Sequence, residues 1–219
     1  MAFNRSYIAF DDWGFEPTYF VGLDHVVNND NKANYRALID HSRIERFFFS
    51  KDPMSITHLT SDKTTLIDID ETDPLHPGLD FSSPLKVSNS GLFGLQVALG
   101  LLAFKEVYLL GCDANYAEVV EGVDTIDGKY VSHEDRDCNH FREDYYGKGT
   151  TYNKPENLTF HLPAWRAFFE AHLDNNRCGY RVFNCSRSGN LTFFPFADFD
   201  EVVGTQVVRA SSPWCKSRD

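Results

Sequence analysis

The stretch that decides the fold is Ser88–Tyr116, which reads SNSGLFGLQVALGLLAFKEVYLLGCDANY. A polar turn leads into an apolar segment of helical length, and an apolar segment of strand length follows. A helix and a strand without a polar face must both be buried, which is typical of a parallel sheet covered by helices. Ligands bind at the carboxyl ends of strands in such sheets, so we expect chemistry just after this strand.

The segments on either side continue the alternation of helices and strands. We predict strands at 17–24, 45–50, 65–69, 106–110 and 180–184, and helices at 32–41, 91–104 and 157–176. This alternation predicts a single α/β domain over residues 1–208, Rossmann-like and doubly wound, with a mostly parallel sheet and helices on both faces. Residues 119–154 are predicted to form a long polar loop that acts as a lid, and residues 209–219 a flexible tail.

Composition restricts the classes of function. The 219 residues are 42% hydrophobic, which suffices for one domain with a core. A net charge of −11 argues against nucleic-acid binding, which needs a clustered basic face. We find no transmembrane run and no signal sequence, so we expect a cytoplasmic protein; a homo-oligomer is compatible with the sequence. Five cysteines without a CxxC pair predict reduced thiols and no metal site.

Polar residues at Ser88, Asn89, Ser90 and Gly91 precede the buried helix. Their hydroxyls and the free N–H groups of the first helical turn could bind the phosphate of a nucleotide. The same residues could equally serve only to cap the helix. The chain has no GxGxxG or GxxxxGK[ST] motif, which argues against an ordinary dinucleotide or P-loop enzyme.

Asp113, Asn115 and Tyr116 follow the apolar strand. The carboxylate could hold a ribose, a metal or a substrate hydroxyl, and the tyrosine hydroxyl could donate to a phosphate, although Asp and Asn are also common turn residues. Asp24 ends an earlier strand and either contacts a nucleotide or caps the next helix. Asn184 is a similar candidate after the last core strand.

The richest part of the predicted lid is 139–149, NHFREDYYGKG. A histidine is the side chain best suited to general base catalysis at neutral pH, which makes His140 the candidate. The candidate residues for the acceptor site and the lid are Arg142, Tyr145, Tyr146 and Lys148, which could position a diphosphate or an acidic sugar. An exposed polar loop with an incidental histidine is the alternative.

Four segments together resemble the 6-hydroxymethylpterin diphosphokinase-like (MptE-like) family: PTYFVGLDHVV at 17–27, SGLFGLQVALGLLAFKEVYLLGCDANY at 90–116, NHFREDYYGKG at 139–149 and YRVFNCSRSGNLTFFPFADFDEV at 180–202. Many members belong to bacterial surface-polysaccharide systems. The family is similar in turn to single-domain bacterial sialyltransferases that use CMP-activated sugars. The resemblance extends over most of the chain.

The resemblance to the sialyltransferases implies a transferase that moves a sugar from a nucleotide donor to a glycan acceptor and needs no metal. It makes His140 the general base, places Ser90 and Gly91 at the nucleotide phosphate, and places Tyr116 near the leaving phosphate. The diphosphokinase alternative implies Mg²⁺ and ATP, held in part by Asp113.

One departure from the family pattern concerns the start of the chain. Family members begin with a strand and a G-x-G-P-S-L type turn, whereas this chain begins near the following N-x-x-Y segment, Asn4–Tyr7. The first strand is therefore expected to be missing, and a non-catalytic nucleotide- or glycan-binding relative remains an alternative.

Overall fold

The computed structural model describes residues 1–51, 59–174 and 178–210, without the side chains of 157–158 and 205–210. Its centre is a four-stranded parallel sheet in the order β1-β2-β3-β4. These strands are β1 (Ala2–Phe3), β2 (Tyr19–Gly22), β3 (Arg46–Ser50) and β4 (Thr64–Ile67). The protein is therefore a mixed α/β protein built on a parallel sheet, as the sequence predicts.

The apolar runs of β2 and β3 are buried because successive side chains enter different cores. Phe20, Phe47 and Phe49 pack in one core with Tyr35 and Ile39 of helix α3 (Lys32–His41). Val21 and Phe48 pack in a second core with Phe93 of α4 (Ser90–Gln96), which continues as a π-helical turn over Val97–Leu101. Helices thus cover both faces of this sheet.

A second parallel pair contains the strand that follows α4. β7 (Glu106–Leu109) pairs with β11 (Arg181–Asn184), with Val107 opposite Val182. A third core packs against this pair and includes Leu92, Leu109, Trp165 and Phe168. Trp165 and Phe168 come from α5 (Leu162–Phe168), which lies between the π-helical turns Asn157–His161 and Phe169–Leu173. The predicted helix over 157–176 is therefore an α-helix only in its middle part and a π-helix on either side. Residues 175–177 lie outside the described residues.

The remaining elements are short. They are a 3₁₀ helix (Asn4–Ala9), α1 (Phe10–Trp13), α2 (His25–Asp30), the parallel pair β5 (Ile69–Asp70) and β6 (Leu85–Lys86), and α6 (Phe199–Ala210). Of the predicted flexible tail, residues 209 and 210 belong to α6, and 211–219 lie outside the described residues. In the described part of the chain, no helix is long and apolar enough to cross a membrane.

Two predictions about irregular regions are wrong. The predicted loop at 119–154 contains an antiparallel sheet in the order β10-β9-β8, formed by β8 (Val123–Ile126), β9 (Lys129–Ser132) and β10 (Thr151–Asn153). The turn between β8 and β9 contains Asp127 and Gly128, both at positive φ, as a type I′ hairpin requires. The strand expected to be missing before Asn4 is present as the two-residue β1, paired with Phe20 and Val21.

The tyrosines of this region explain why it is folded. Tyr130, Tyr145, Tyr146 and Tyr152 are buried together in a core that also contains Val27 of α2. Tyr146 stacks on Tyr152 with ring centroids 4.2 Å apart. Burial of these rings supplies a hydrophobic contribution to stability that a polar loop would lack. Cys112, Cys138, Cys178 and Cys185 are free thiols, and Cys215 lies outside the described residues.

Candidate functional site

A cavity of about 200 Å³ lies where the carboxyl end of β2 meets the start of α4. The predicted site residues that line it are Asp24, Ser88, Asn89, Ser90, Gly91, Tyr116, His140 and Tyr146. These residues come from four separate segments of the chain. The structure therefore brings Ser90, Tyr116 and His140 to one cavity.

His140 is held in place by a buried carboxylate. Its Nδ1–H donates to Asp137 Oδ2 over 2.8 Å, and the two side chains are 19% and 3% exposed. Burial alone would raise the pKa of Asp137, but the hydrogen bond and charge of His140, with the N–H groups of Asn139 and Tyr146, lower it overall. A carboxylate on Nδ1 fixes the tautomer in which Nε2 carries a lone pair, and no described residue bonds to Nε2.

Aromatic rings surround His140. Tyr145 stacks on the imidazole with centroids 4.1 Å apart, Tyr146 meets it edge-on at 4.9 Å, and Tyr116 lies 5.7 Å away. Because these rings leave the imidazole little freedom to rotate, its Nε2 edge has a defined direction. Burial raises the pKa values of Tyr116, Tyr145 and Tyr146, so these hydroxyls keep their protons at neutral pH.

The start of α4 forms the opposite wall. Asn89 caps the helix, with its Oδ1 accepting from Leu92 N over 3.0 Å, and Asn4 Nδ2 donates to Ser90 Oγ over 3.2 Å. Three polar atoms of this wall are buried without a partner among the described residues: Ser88 Oγ, Asn89 Nδ2 and Asn4 Oδ1. Buried polar atoms in native proteins are nearly always hydrogen-bonded, so these three atoms are exceptions that lie in residues bordering the cavity.

Asp24 performs the capping role that the sequence offered as one alternative. Its Oδ1 accepts from Val26 N over 2.8 Å at the start of α2, and its Oδ2 accepts from Asn153 Nδ2 over 2.9 Å. The same side chain lines the cavity, so it also shapes the site. Both carboxylate oxygens are thus committed to contacts within the protein.

Five of the predicted residues lie outside the lining of the cavity: Asp113, Asn115, Arg142, Tyr145 and Lys148. Asp113 packs against Gly189, where an added Cβ would lie 2.5 Å from the Asp113 Cβ, and its carbonyl accepts from Asn190 N over 2.7 Å. Asn115 is exposed. The prediction that both follow the strand is correct, but neither lines the cavity, and Asp113 instead contacts the loop after β11.

The lid residues divide in the same way. Arg142 donates to the carbonyl of Ile8 and pairs with Asp12 and Asp144, so it joins segments of the protein instead of facing the cavity. Lys148 is exposed, and Tyr145 lies behind His140 as a stacking partner. Asn184 is buried, accepts from Ser186 N and donates to Leu191 O, which is a structural role.

Sequence reasoning missed several residues that line the cavity. Among them are Asn4, Asn139, Asn153, Lys154 and His161. The His161 ring lies edge-on to Tyr116, with centroids 5.9 Å apart. Burial lowers the pKa of His161, and this effect is larger than that of the negative charge of Glu118, which raises it. His161 could have been found from its position, because it is a second histidine at the start of the helical segment that follows the predicted lid.

Across the described part of the chain, no group of three or more His, Cys, Asp or Glu residues is placed to hold a metal ion. Comparisons with protein-family models, with curated proteins and with solved structures found no match. Any inference about function therefore comes from the site itself and from the resemblance described above.

Proposed function

We propose that the chain is a Rossmann-like relative of the MptE-like and sialyltransferase group, and that it transfers a sugar from a nucleotide donor to a hydroxyl of a glycan acceptor. The observation that carries this proposal is the Asp137–His140 pair beside a cavity that also receives Ser90 and Tyr116. The resemblance implies a cytoplasmic role in surface-polysaccharide synthesis, with CMP as the first nucleotide to test.

His140 acts as the general base in this proposal. Nδ1–H donates to Asp137, so Nε2 is free to take the proton of the acceptor hydroxyl. The acceptor oxygen attacks the anomeric carbon, the bond from that carbon to the phosphate oxygen breaks, and the nucleotide leaves with the bond's electrons. Asp137 stabilises the imidazolium formed in this step without itself taking the proton.

The donor nucleotide lies against the wall formed by Asn4 and the start of α4. The residues of this wall that line the cavity and can contact the nucleotide are Ser88, Asn89, Ser90 and Asn4. Their three buried atoms without a partner would become available to it only if the wall rearranged on binding. Tyr116 keeps its proton at neutral pH because burial raises its pKa, so its hydroxyl is suited to donate to the departing phosphate. A charge-assisted hydrogen bond of this kind stabilises the leaving group.

The test is nucleotide release from CMP-, UDP- and GDP-activated sugars, measured with wild type and His140→Ala. Loss of a general base is expected to slow release by about 10²–10⁴-fold. His133→Ala is the matched control: His133 comes from the same segment and also pairs with an aspartate, Asp124, but it is 51% exposed and lies outside the cavity. Exposed pairs contribute little, so this variant should stay within about twofold of wild type.

Three outcomes would contradict the proposal. Equal loss in the two variants would remove His140 from a specific role. If His161→Gln loses nucleotide release while His140→Ala keeps the wild-type rate, the general base is His161 and not His140. AMP formation from ATP and hydroxymethylpterin, without turnover of any nucleotide sugar, would replace the transferase by the diphosphokinase.

A further inference from the structure

Three exposed aromatic side chains form a continuous surface outside the cavity; we call Trp13, Phe15 and Phe141 the aromatic shelf. They are 40%, 59% and 54% exposed. Trp13 stacks on Phe15 with centroids 5.7 Å apart, and Phe141 lies 5.6 Å from Trp13. Large apolar side chains that cluster at the surface usually mark a binding site, whereas single exposed ones carry no such meaning.

The shelf lies next to the ring that stacks on His140. Phe141 follows His140 in the chain, and its ring meets Tyr145 edge-on at 5.4 Å, on the tyrosine that stacks on His140. Tyr145 is buried and does not line the cavity, so this one ring separates the shelf from His140, and a ligand that contacts both must extend over the surface from the cavity to the shelf.

The shelf is also held rigid. It combines residues from 10–15 with one from the His140 segment, and Arg142 joins the two by donating to Ile8 O over 3.2 Å and to Asp12 Oδ2 over 2.6 Å. Trp13 further packs on the buried Phe10 at 5.8 Å. A binding surface that is already ordered loses little conformational entropy when its ligand binds.

Charge and size select the kind of ligand. Asp11 and Glu143 are exposed beside the shelf, and Arg142 next to Phe141 is already paired with Asp12 and Asp144. With a net charge of −11 on the chain, anionic lipids and anionic polymers are therefore repelled. Three half-exposed rings offer roughly 300 Å². A stable protein interface needs about 800 Å² on each partner, so the shelf is too small to be one by itself. It matches a few sugar rings, whose C–H faces pack on aromatic rings and whose hydroxyls donate to carboxylates.

We propose that the aromatic shelf binds neutral sugar units of an oligosaccharide acceptor, next to the unit whose hydroxyl enters the cavity. This inference rests on the proposed function and adds that the acceptor is a neutral oligosaccharide and not a monosaccharide. It assigns Trp13, Phe15 and Phe141 to the recognition of the acceptor, for which the sequence offered only Arg142, Tyr145, Tyr146 and Lys148.

The direct test is calorimetric titration with maltohexaose, cellohexaose and chitohexaose, with hexagalacturonate as the anionic comparison. Wild type should bind at least one neutral hexasaccharide more tightly than hexagalacturonate. Trp13→Ala and Phe15→Ala should each weaken that binding by roughly fivefold or more, since an aromatic contact is worth about 1 kcal/mol. Trp13→Phe, which keeps a ring, should recover most of the affinity, and circular dichroism checks that each variant is folded.

Phe196→Ala is the matched control because Phe196 is 55% exposed and lies in the segment after β11, outside the shelf. It should bind the hexasaccharide as wild type does. Binding of no neutral probe, or unchanged binding in Trp13→Ala, would overturn the proposal. So would self-association that disappears in Trp13→Ala, which would make the shelf a contact between copies of the chain.

The outcome is separate from that of the transfer reaction, since calorimetry needs no turnover. Hexasaccharide binding without nucleotide release would reject the transferase and keep the shelf as a glycan site. If transfer occurs, Trp13→Ala should raise the KM for a hexasaccharide acceptor roughly fivefold while changing kcat by less than about twofold, because the shelf lies away from the reacting atoms.

Discussion

Replacing Asp137 by asparagine tests whether this buried carboxylate organises the site. Its Oδ2 accepts from His140 Nδ1 over 2.8 Å and from Tyr146 N over 3.0 Å, and its Oδ1 accepts from Asn139 N over 2.8 Å. The side chain is 3% exposed, so water cannot replace a lost partner. Asparagine has the same shape but only one acceptor oxygen. Because both carboxylate oxygens of Asp137 accept from N–H groups, the NH₂ group of asparagine would replace an acceptor by a donor at one of these two positions.

The magnitude follows from these contacts. An asparagine that keeps its oxygen at the Oδ2 position loses the bond from Asn139 N. The reverse orientation loses the bond from Tyr146 N and keeps a bond to His140 only if the imidazole carries its proton on Nε2. A hydrogen bond to a charged group contributes about 1.5–3 kcal/mol, so one or two lost bonds should reduce the free energy of unfolding by roughly 2–5 kcal/mol. This is a large part of the about 5–15 kcal/mol that a domain has in total.

The assay is urea denaturation followed by circular dichroism, with Asp135→Asn as the control. Asp135 lies in the same segment and accepts one backbone bond, from Lys148 N over 2.8 Å, but it is exposed. Its loss should cost below about 1 kcal/mol. If the two variants lose the same stability, or if Asp137→Asn loses less than about 1 kcal/mol, the reasoning about Asp137 is wrong.

The pH dependence gives a second arm of the same experiment. The folded pKa of Asp137 lies below its ordinary value of 3.8, so the unfolded chain binds the proton first as the pH falls. The contribution of the carboxylate is complete above pH 3.8 and is lost as the pH falls through the lower folded pKa. The stability difference between wild type and Asp137→Asn should therefore shrink in that acidic range.

Two further perturbations address the core and the second histidine. Gly94→Ala should lower the free energy of unfolding by about 1–2 kcal/mol, because overpacking outweighs the gain in helix propensity; its Cβ would lie 2.2 Å from Phe3 Cε1. Gly204→Ala, in α6 with no atom within 4 Å of the added Cβ, should stabilise slightly in the same urea titration. Burial lowers the pKa of His161 below 6.5, so stability should fall as the pH drops below 6.5 toward the folded pKa. His161→Gln should reduce this loss of stability when urea titrations are compared between pH 5 and 7. If the free energy of unfolding depends on pH equally in His161→Gln and in wild type, this prediction is wrong. A smaller remaining pH dependence is expected from His172, whose pKa burial also lowers.

The buried sheet could be predicted because its strands have no polar face. Phe47, Phe48 and Phe49 alternate between two cores, and only a sheet covered on both faces buries all three. The antiparallel sheet at 123–153 was missed because acidic residues and tyrosines were interpreted as a polar loop. Asp127-Gly128 between two strands is a hairpin signal that was available in the sequence.

Site residues could be predicted only where the end of a strand or the start of a helix fixes their position in the fold. Ser90 and Tyr116 belong to the helix–strand unit, and both reach the cavity. Asp137 was not predicted, since it contacts His140 through an irregular turn that no periodicity specifies. Asp113 was assigned to the site by its place after the strand, but it packs against Gly189, at φ +109°, and does not line the cavity.

The two walls of the cavity are joined by residues at the start of the chain. Asn4 Nδ2 donates to Ser90 Oγ on the α4 side, and the next residue, Arg5, donates its N–H to Tyr145 Oη over 3.2 Å, behind His140. Asn4 adopts φ +48°, a conformation that costs about 1 kcal/mol or more in a residue other than glycine and persists only where neighbours hold it. The residue at this junction is thus a strained asparagine whose Oδ1 is buried without a described partner. Because neighbouring residues join the two walls, a change at Asn4 or Arg5 would disturb both the Ser90 side and the His140 side of the cavity.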